Sequence, residues 1–148
     1  MDTELARLVF NQTVEKYHRA LGEVGTGKMQ HFLDMFSTED DVSLANPGDA
    51  AVRGYNKVIK TAQSSVSKLT RAESIDFENL VTFVNCDFAY IVENERYQSK
   101  PGNTQDPGLM TQRATTIFRL ENGGWKVVHR HADSLASIRP VETMSQSS

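Results

Sequence analysis

The hydrophobic and polar positions of this chain change period once, dividing it into a helical front and a stranded back. Leu5, Leu8, Val9, Val14, Tyr17 and Leu21 recur at roughly helical spacing, with Asp2 or Thr3 placed to cap the helix. The stretch 22–27 (GEVGTG) ends it, and Thr26 is placed to cap a short second helix carrying Met29, Phe32, Leu33 and Phe36 on one stripe. A brief strand over 42–46, turn chemistry in Asn46-Pro47-Gly48-Asp49 and a second short strand over 51–53 follow. After Gly54 a third helix runs from 55 to about 68, with Val58, Ile59, Ala62 and Val66 on one side.

Beyond residue 71 the period is two. Ile75, Phe77, Val81 and Phe83 share a parity, which predicts a long strand with one buried face. Phe88, Tyr90 and Val92 do the same in the next strand, and Asn94 and Arg96 fall on their parity. The segment 99–108 (SKPGNTQDPG) reads as the least ordered interior loop. Asn122-Gly123 between two alternating runs is a strong hairpin signal, because a type I′ turn needs φ > 0 at both central residues. Strict pairing from that turn puts Ala114, Thr116, Phe118 and Leu120 on one face with Trp125, Val127, His129, His131 and Asp133. It puts Arg113, Thr115, Ile117, Arg119, Lys126, Val128 and Arg130 on the other.

Three helices followed by four long strands predict an α+β domain, its helices packed on a strongly curved mixed or antiparallel sheet that encloses a pocket. On this reading the concave face carries Phe77, Phe83, Tyr90, Val92, Phe118 and Trp125, against helices at Leu8, Phe32 and Val58. The convex face strands Ile117 and Val128 among arginines and Lys126, which predicts a homodimer through that face. Glu93 and Glu95 would offset the cations across the two-fold axis.

Composition narrows the partners. The 148 residues suit a single domain over 1–138, with a Ser/Gln-rich tail over 139–148 expected to fray. A net charge of −3 without any Lys/Arg run gives no footprint for nucleic acid. No apolar stretch is long enough to span a membrane, and the first residues do not read as a signal peptide. The lone cysteine, Cys86, excludes an internal disulfide and makes the reducing cytoplasm the default compartment.

Three segments carry a family resemblance: FLDMFSTEDDVSLANPGDAAVRGYNKVIKTA (32–62), FAYIVENERY (88–97) and TTIFRLENGGWKVVHRHADS (115–134), the last ending in W-x-x-x-H-x-H. In element order and in these segments the chain resembles the SnoaL-like, ketosteroid-isomerase-like group of the nuclear transport factor 2-like superfamily. The resemblance implies a cone-shaped pocket between helices and sheet, commonly in a homodimer, and leaves function open, because this superfamily holds enzymes and non-enzymes alike. Steroid isomerases of the group use an aspartate after the first short strand as base; the nearest position here is Asn46, whose amide cannot take that part. SnoaL-type cyclases use an acid/base aspartate near the end of the sheet, and Asp133 is the position here that could serve.

The candidate chemistry therefore centres on His131 and Asp133. Residues two apart on a strand share a face, and a carboxylate beside an imidazole fixes its tautomer for acid/base work. The competing structural reading pairs Asp133 with Arg113 or Arg130 at the rim of the sheet. His129 reads as a core histidine or a pocket group, and Trp125 as the plug of the narrow end or a pocket wall. Arg96 would clamp a substrate carboxylate, or else pair with Glu93 or Glu95. Asn46, Tyr90, Asn94 and Phe118 complete the candidate ligand-binding set. No metal and no cofactor is expected, since His18, His31 and Cys86 show no ligand spacing with the strand histidines. Two functions follow from this set. One is cofactor-free acid/base chemistry of the isomerase, cyclase or dehydratase type on a small apolar carbonyl-bearing or cyclic compound. The other is a non-catalytic ligand-binding or assembly module of the same fold.

Overall fold

The computed structural model describes residues 3–65, 72–99 and 109–135. The expected cap Asp2, most of the polar loop 99–108, the end of the third helix and the tail lie outside the described residues. The elements are α1 (Thr3–Val24), α2 (Gln30–Asp34), β1 (Ser43–Ala45), β2 (Val52–Arg53), α3 (Tyr55–Ser64), β3 (Ala72–Val84), β4 (Phe88–Ser99), β5 (Leu109–Glu121) and β6 (Gly124–Ser134). They form an α+β domain in which helices pack on a six-stranded sheet of order β2-β1-β6-β5-β4-β3. The sheet is mixed: β1 runs parallel to β6, and every other neighbouring pair is antiparallel.

α1 buries Ala6, Phe10, Tyr17, Ala20, Leu21 and Val24, while Leu5 and Leu8 face water at 50% and 60% exposure. The alanines explain the rotated stripe, since small side chains let the helix approach the sheet closely. Phe10 meets Phe118 and Trp125 edge to face at centroid separations of 5.0 and 5.3 Å, and Tyr17 meets Phe118 at 5.5 Å. Each buried ring contributes on the order of 1.5–3 kcal/mol through area alone. α2 starts after Met29 without a side-chain cap, because the Thr26 hydroxyl donates to the Glu23 carbonyl at 2.7 Å instead. The hairpin turn is as expected, with Asn122 and Gly123 at φ 49° and 80°.

The faces of the long strands depart from strict alternation at two places. Between β5 and β6, Phe118 pairs with Val127 but Ile117 pairs with His129, so Val128 is an extra residue. Such a bulge flips every later side chain on its strand. Trp125 and Val127 face the core as expected; beyond the bulge Arg130 and Ala132 face inward, and His129, His131 and Asp133 lie on the convex side. A second bulge at Leu80 leaves Ile75 and Phe77 inside and turns Val81 and Phe83 out.

β4 is inverted along its whole length relative to the expectation. Ala89, Ile91, Glu93, Glu95 and Tyr97 are buried, and Phe88 and Tyr90 are exposed. Buried charges cause the inversion: Glu95 meets Arg130 and Glu93 meets His18 inside the cone, so the polar parity of β4 is its core parity. Glu93 and Glu95 therefore do not reach the convex face to offset charge there. Deleting Val128 should move Arg130 to the outside and strand Glu95 in the core. We expect a loss of about 3–5 kcal/mol or of cooperative folding altogether, read by urea denaturation.

Candidate functional site

Among the described residues, helices, loop and sheet line a partly open, mainly apolar cavity of about 320 Å³. Leu21 and Val24 of α1, and Met29 and Phe32 at α2, form one wall. The turn Asn46-Pro47-Gly48 and Ser65 close a second side, and Met110, Gln112, Arg130 and Ser134 supply the sheet floor. The α1 residues reach it because that helix ends in a glycine turn, with Gly27 at φ 92°. The turn after β1 is held by the Asp49 amide donating to the Asn46 carbonyl at 3.1 Å.

Beneath the floor lies a buried polar network. Arg130, 3% exposed, donates through Nη1 and Nη2 to the two oxygens of Glu95, at 2.8 and 2.7 Å. Its Nη1 also donates to the Tyr17 hydroxyl at 2.9 Å, which lies 3.1 Å from Thr116 Oγ1. The Tyr97 hydroxyl donates to Glu95 Oε1 at 2.8 Å. Burial alone would push the Glu95 carboxyl up, but the charge and hydrogen bonds of Arg130 outweigh it and hold the group below the ordinary carboxylate range. Burial and the neighbouring Glu95 charge push the Tyr97 phenol well up, and burial raises that of Tyr17. Arg130 stays protonated against desolvation because of Glu95. A second buried carboxylate, Glu93, bonds His18 Nε2 at 2.7 Å and accepts from Asn79 at 3.1 Å, and the His18 ring stacks on Phe77 at 3.7 Å.

Of the side chains singled out by sequence, Asn46 lines this cavity. Phe118 and Trp125 are core residues packed on Phe10, so Trp125 is the plug; its indole N–H has no partner among the described residues. His131, Asp133 and His129 lie on the convex face. Asp133 is held by Arg113 at 3.0 and 2.7 Å, which lowers its carboxyl, and His129 Nδ1 lies 2.7 Å from Ser43 Oγ. Burial, helped by the neighbouring His131, pushes the His129 imidazole down. Tyr90, Asn94 and Arg96 are also convex; Arg96 donates to Glu78 at 2.8 Å, and Asn94 to the same oxygen at 2.9 Å. The side chains expected to converge in the cone are thus split between its two faces: the bulge at Val128 turns His129, His131 and Asp133 out, and the inverted face of β4 turns out Tyr90, Asn94 and Arg96. Arg130, Gln112 and Glu95 are the residues that the sequence reading missed. The signal for them was the Glu-x-Glu of β4, two carboxylates on the same parity as Ala89, Ile91 and Tyr97.

Among the described residues, no group of three or more His, Cys, Asp or Glu is arranged to hold a metal ion. No described helix is long and apolar enough to cross a membrane.

The pH response follows from Glu95. Its carboxyl is lower in the folded than in the unfolded chain, so its stabilisation is complete above an ordinary glutamate value of about 4.3 and is lost as pH falls through the depressed folded value. Arg130→Met should reverse the sign, leaving Glu95 buried without its cation and its carboxyl raised. We expect a loss of about 3–5 kcal/mol near neutrality that shrinks on acidification, in thermal melts between pH 7 and 4.

Residues 10–137 match the SnoaL-like domain family. Among solved structures, the chain is similar to a Streptomyces avermitilis protein assigned as a dehydratase of the nuclear transport factor 2-like family (19% identity, 92% of this chain and 100% of that one, TM-score 0.69). It is similar to a Thiobacillus denitrificans protein assigned as a calcium/calmodulin-dependent protein kinase type II association domain (19% identity, 82% and 90%, TM-score 0.66). It is also similar to a ketosteroid isomerase-like protein from Erwinia carotovora atroseptica (13% identity, 92% and 99%, TM-score 0.65). At these identities the likeness concerns the fold alone. No curated protein matches the chain in sequence. The match over 10–137, on a curved sheet closed by helices around a cavity, makes this chain a member of the SnoaL-like domain family.

Proposed function

We propose that this protein binds a small, largely apolar or cyclic molecule in the cavity floored by Arg130 and Gln112, as a binding module rather than an acid/base enzyme. One observation carries the reading: among the described residues lining the cavity, Arg130 is the only ionisable side chain, and Glu95 and Tyr17 already engage it. The remaining polar groups are amides and hydroxyls, from Asn46, Gln112, Ser65 and Ser134, which orient a ligand through hydrogen bonds. The imidazoles of His129 and His131 and the Asp133 carboxylate lie across the sheet from it. The exposed Cys86 thiol, the only cysteine, supports a reducing, cytoplasmic setting.

The test is a fragment screen read by methionine methyl NMR. Binding fragments should move the Met29 and Met110 signals, and Val24→Trp, which fills the cavity, should abolish the response. His131→Gln and Asp133→Asn should leave binding unchanged. Fragments that perturb only the surroundings of His131 would overturn the reading in favour of chemistry on the convex face.

We further propose a homodimer through that convex face, with a second copy of the chain as its occupant. Phe83 and Tyr90 stack there at 5.5 Å while 46% and 37% exposed, and Val81 stands beside them, a contiguous apolar patch on an open sheet surface. Of the cations expected to crowd this face, Arg130 turns inward, Arg113 is offset by Asp133 and Arg119 by Asp41 and Glu121, and Lys126 donates to the Asp34 carbonyl; Arg96, which was expected in the cone, is offset by Glu78. Two copies could therefore meet without net repulsion, and one structural neighbour is assigned as an association domain. Sedimentation at micromolar concentration should give a dimer, and Tyr90→Glu a monomer with unchanged fold; a wild-type monomer overturns the proposal.

A further inference from the structure

We infer that Glu95 sets the charge selectivity of the cavity: by consuming the charge of Arg130, it makes the site one for uncharged ligands bearing a hydrogen-bond acceptor and excludes carboxylates. The inference rests on the cavity being the binding site. It goes further by naming the ligand class and the residue that selects it.

Arg130 is the one guanidinium at the cavity floor, and both Glu95 oxygens are bound to it. Glu95 pairs directly across β4 and β5 with Gln112, itself a floor residue, so its carboxylate stands beside any group that reaches the floor. Two positions along the same strand Glu93 is buried as well, bonded to His18 and Asn79. Among the described residues the inner face thus already holds two carboxylates, each bonded within the chain, and one guanidinium. A ligand carboxylate would add a further negative charge in a poorly hydrated space, where like charges a few ångströms apart repel strongly. A carbonyl or amide oxygen meets no such cost. Arg130 Nε has no partner among the described residues, and the Gln112 and Asn46 amides remain for a neutral acceptor. The rest of such a ligand would rest on Leu21, Val24, Met29 and Phe32.

The test compares benzamide with benzoate, two probes of the same shape of which benzoate is ionised at pH 7. The readouts are the Met29 and Met110 methyl signals and thermal stabilisation. In the wild type, benzamide should act at about tenfold lower concentration than benzoate or less. In Glu95→Gln the order should reverse, because Arg130 regains an unneutralised charge, and benzoate should raise the melting temperature of this variant above the benzamide value. Glu95→Gln leaves a buried cation, so the double variant Glu95→Gln/Arg130→Gln, which carries neither charge, serves as a control; it should not bind benzoate better than benzamide. Benzoate binding as tightly as benzamide to the wild type, or benzoate preferred by the double variant, overturns the inference. Probes that leave both methyl signals unmoved overturn the binding reading itself, and the inference falls with it.

Discussion

The guanidinium of Arg130 held by both oxygens of Glu95 inside the cone is the constraint on which the other features turn. Removing two such ions from water costs several kcal/mol each, and their attraction offsets that cost only when geometry is good and the remaining hydrogen-bonding capacity is filled. Here the contact is bidentate and hydroxyls from Tyr17 and Tyr97 take up further capacity, with only Arg130 Nε left without a partner among the described residues. The pair needs Arg130 to face inward, and the extra residue at Val128 provides that orientation. Bulge and ion pair thus require each other: without the bulge the arginine points to water, and without the pair the bulge would leave a buried carboxylate alone.

Burying Glu93 and Glu95 has a second consequence, imposed by the period of two. If the odd-numbered residues of β4 face the core, Phe88, Tyr90, Val92, Asn94 and Arg96 must face the other way. The charged interior and the aromatic exterior are therefore one fact seen from two sides. The same geometry explains why the outer face carries ion pairs such as Arg96–Glu78 and Arg113–Asp133 next to exposed rings. These pairs are worth little as stability, being solvent-exposed. They fix the charge pattern that surrounds the apolar patch.

What could be read from the sequence was local. Helical spacing, the Asn-Gly turn and the Pro-Gly turn after β1 depend on neighbours within a few residues, and the element order followed from them. Side-chain orientation on the long strands was not local. Up to Val127 the register counted from the turn was right; at Val128 one unpaired residue reversed it, and nothing in Lys-Val-Val-His marks the site. The Leu80 bulge had the same effect on β3. On β4 the rule of apolar inside and polar outside was broken by Glu93 and Glu95, whose partners inside the cone, on α1 and β6, no window along the chain contains. The candidate site inherited these errors: Asn46, on a short turn, lines the cavity, while His129, His131, Asp133, Tyr90, Asn94 and Arg96 lie on the other side of the sheet.

The same reasoning bears on how members of one fold diverge. The resemblance to steroid isomerases places a base after the first short strand, where this chain has Asn46, and the inner face of β6 beyond its bulge presents Arg130 rather than an imidazole. The polar groups among the described residues lining this cavity are amides, hydroxyls and a guanidinium whose charge is already matched, all of them hydrogen-bonding groups and none a free base. Moving a proton near neutral pH requires a group whose two protonation states are close in energy. The Arg130–Glu95 pair separates those states: Glu95 is held ionised and Arg130 protonated. The interaction that organises the interior of this domain therefore also holds both of its ionisable groups in a single protonation state, and under the proposed function it is what sets which ligands fit.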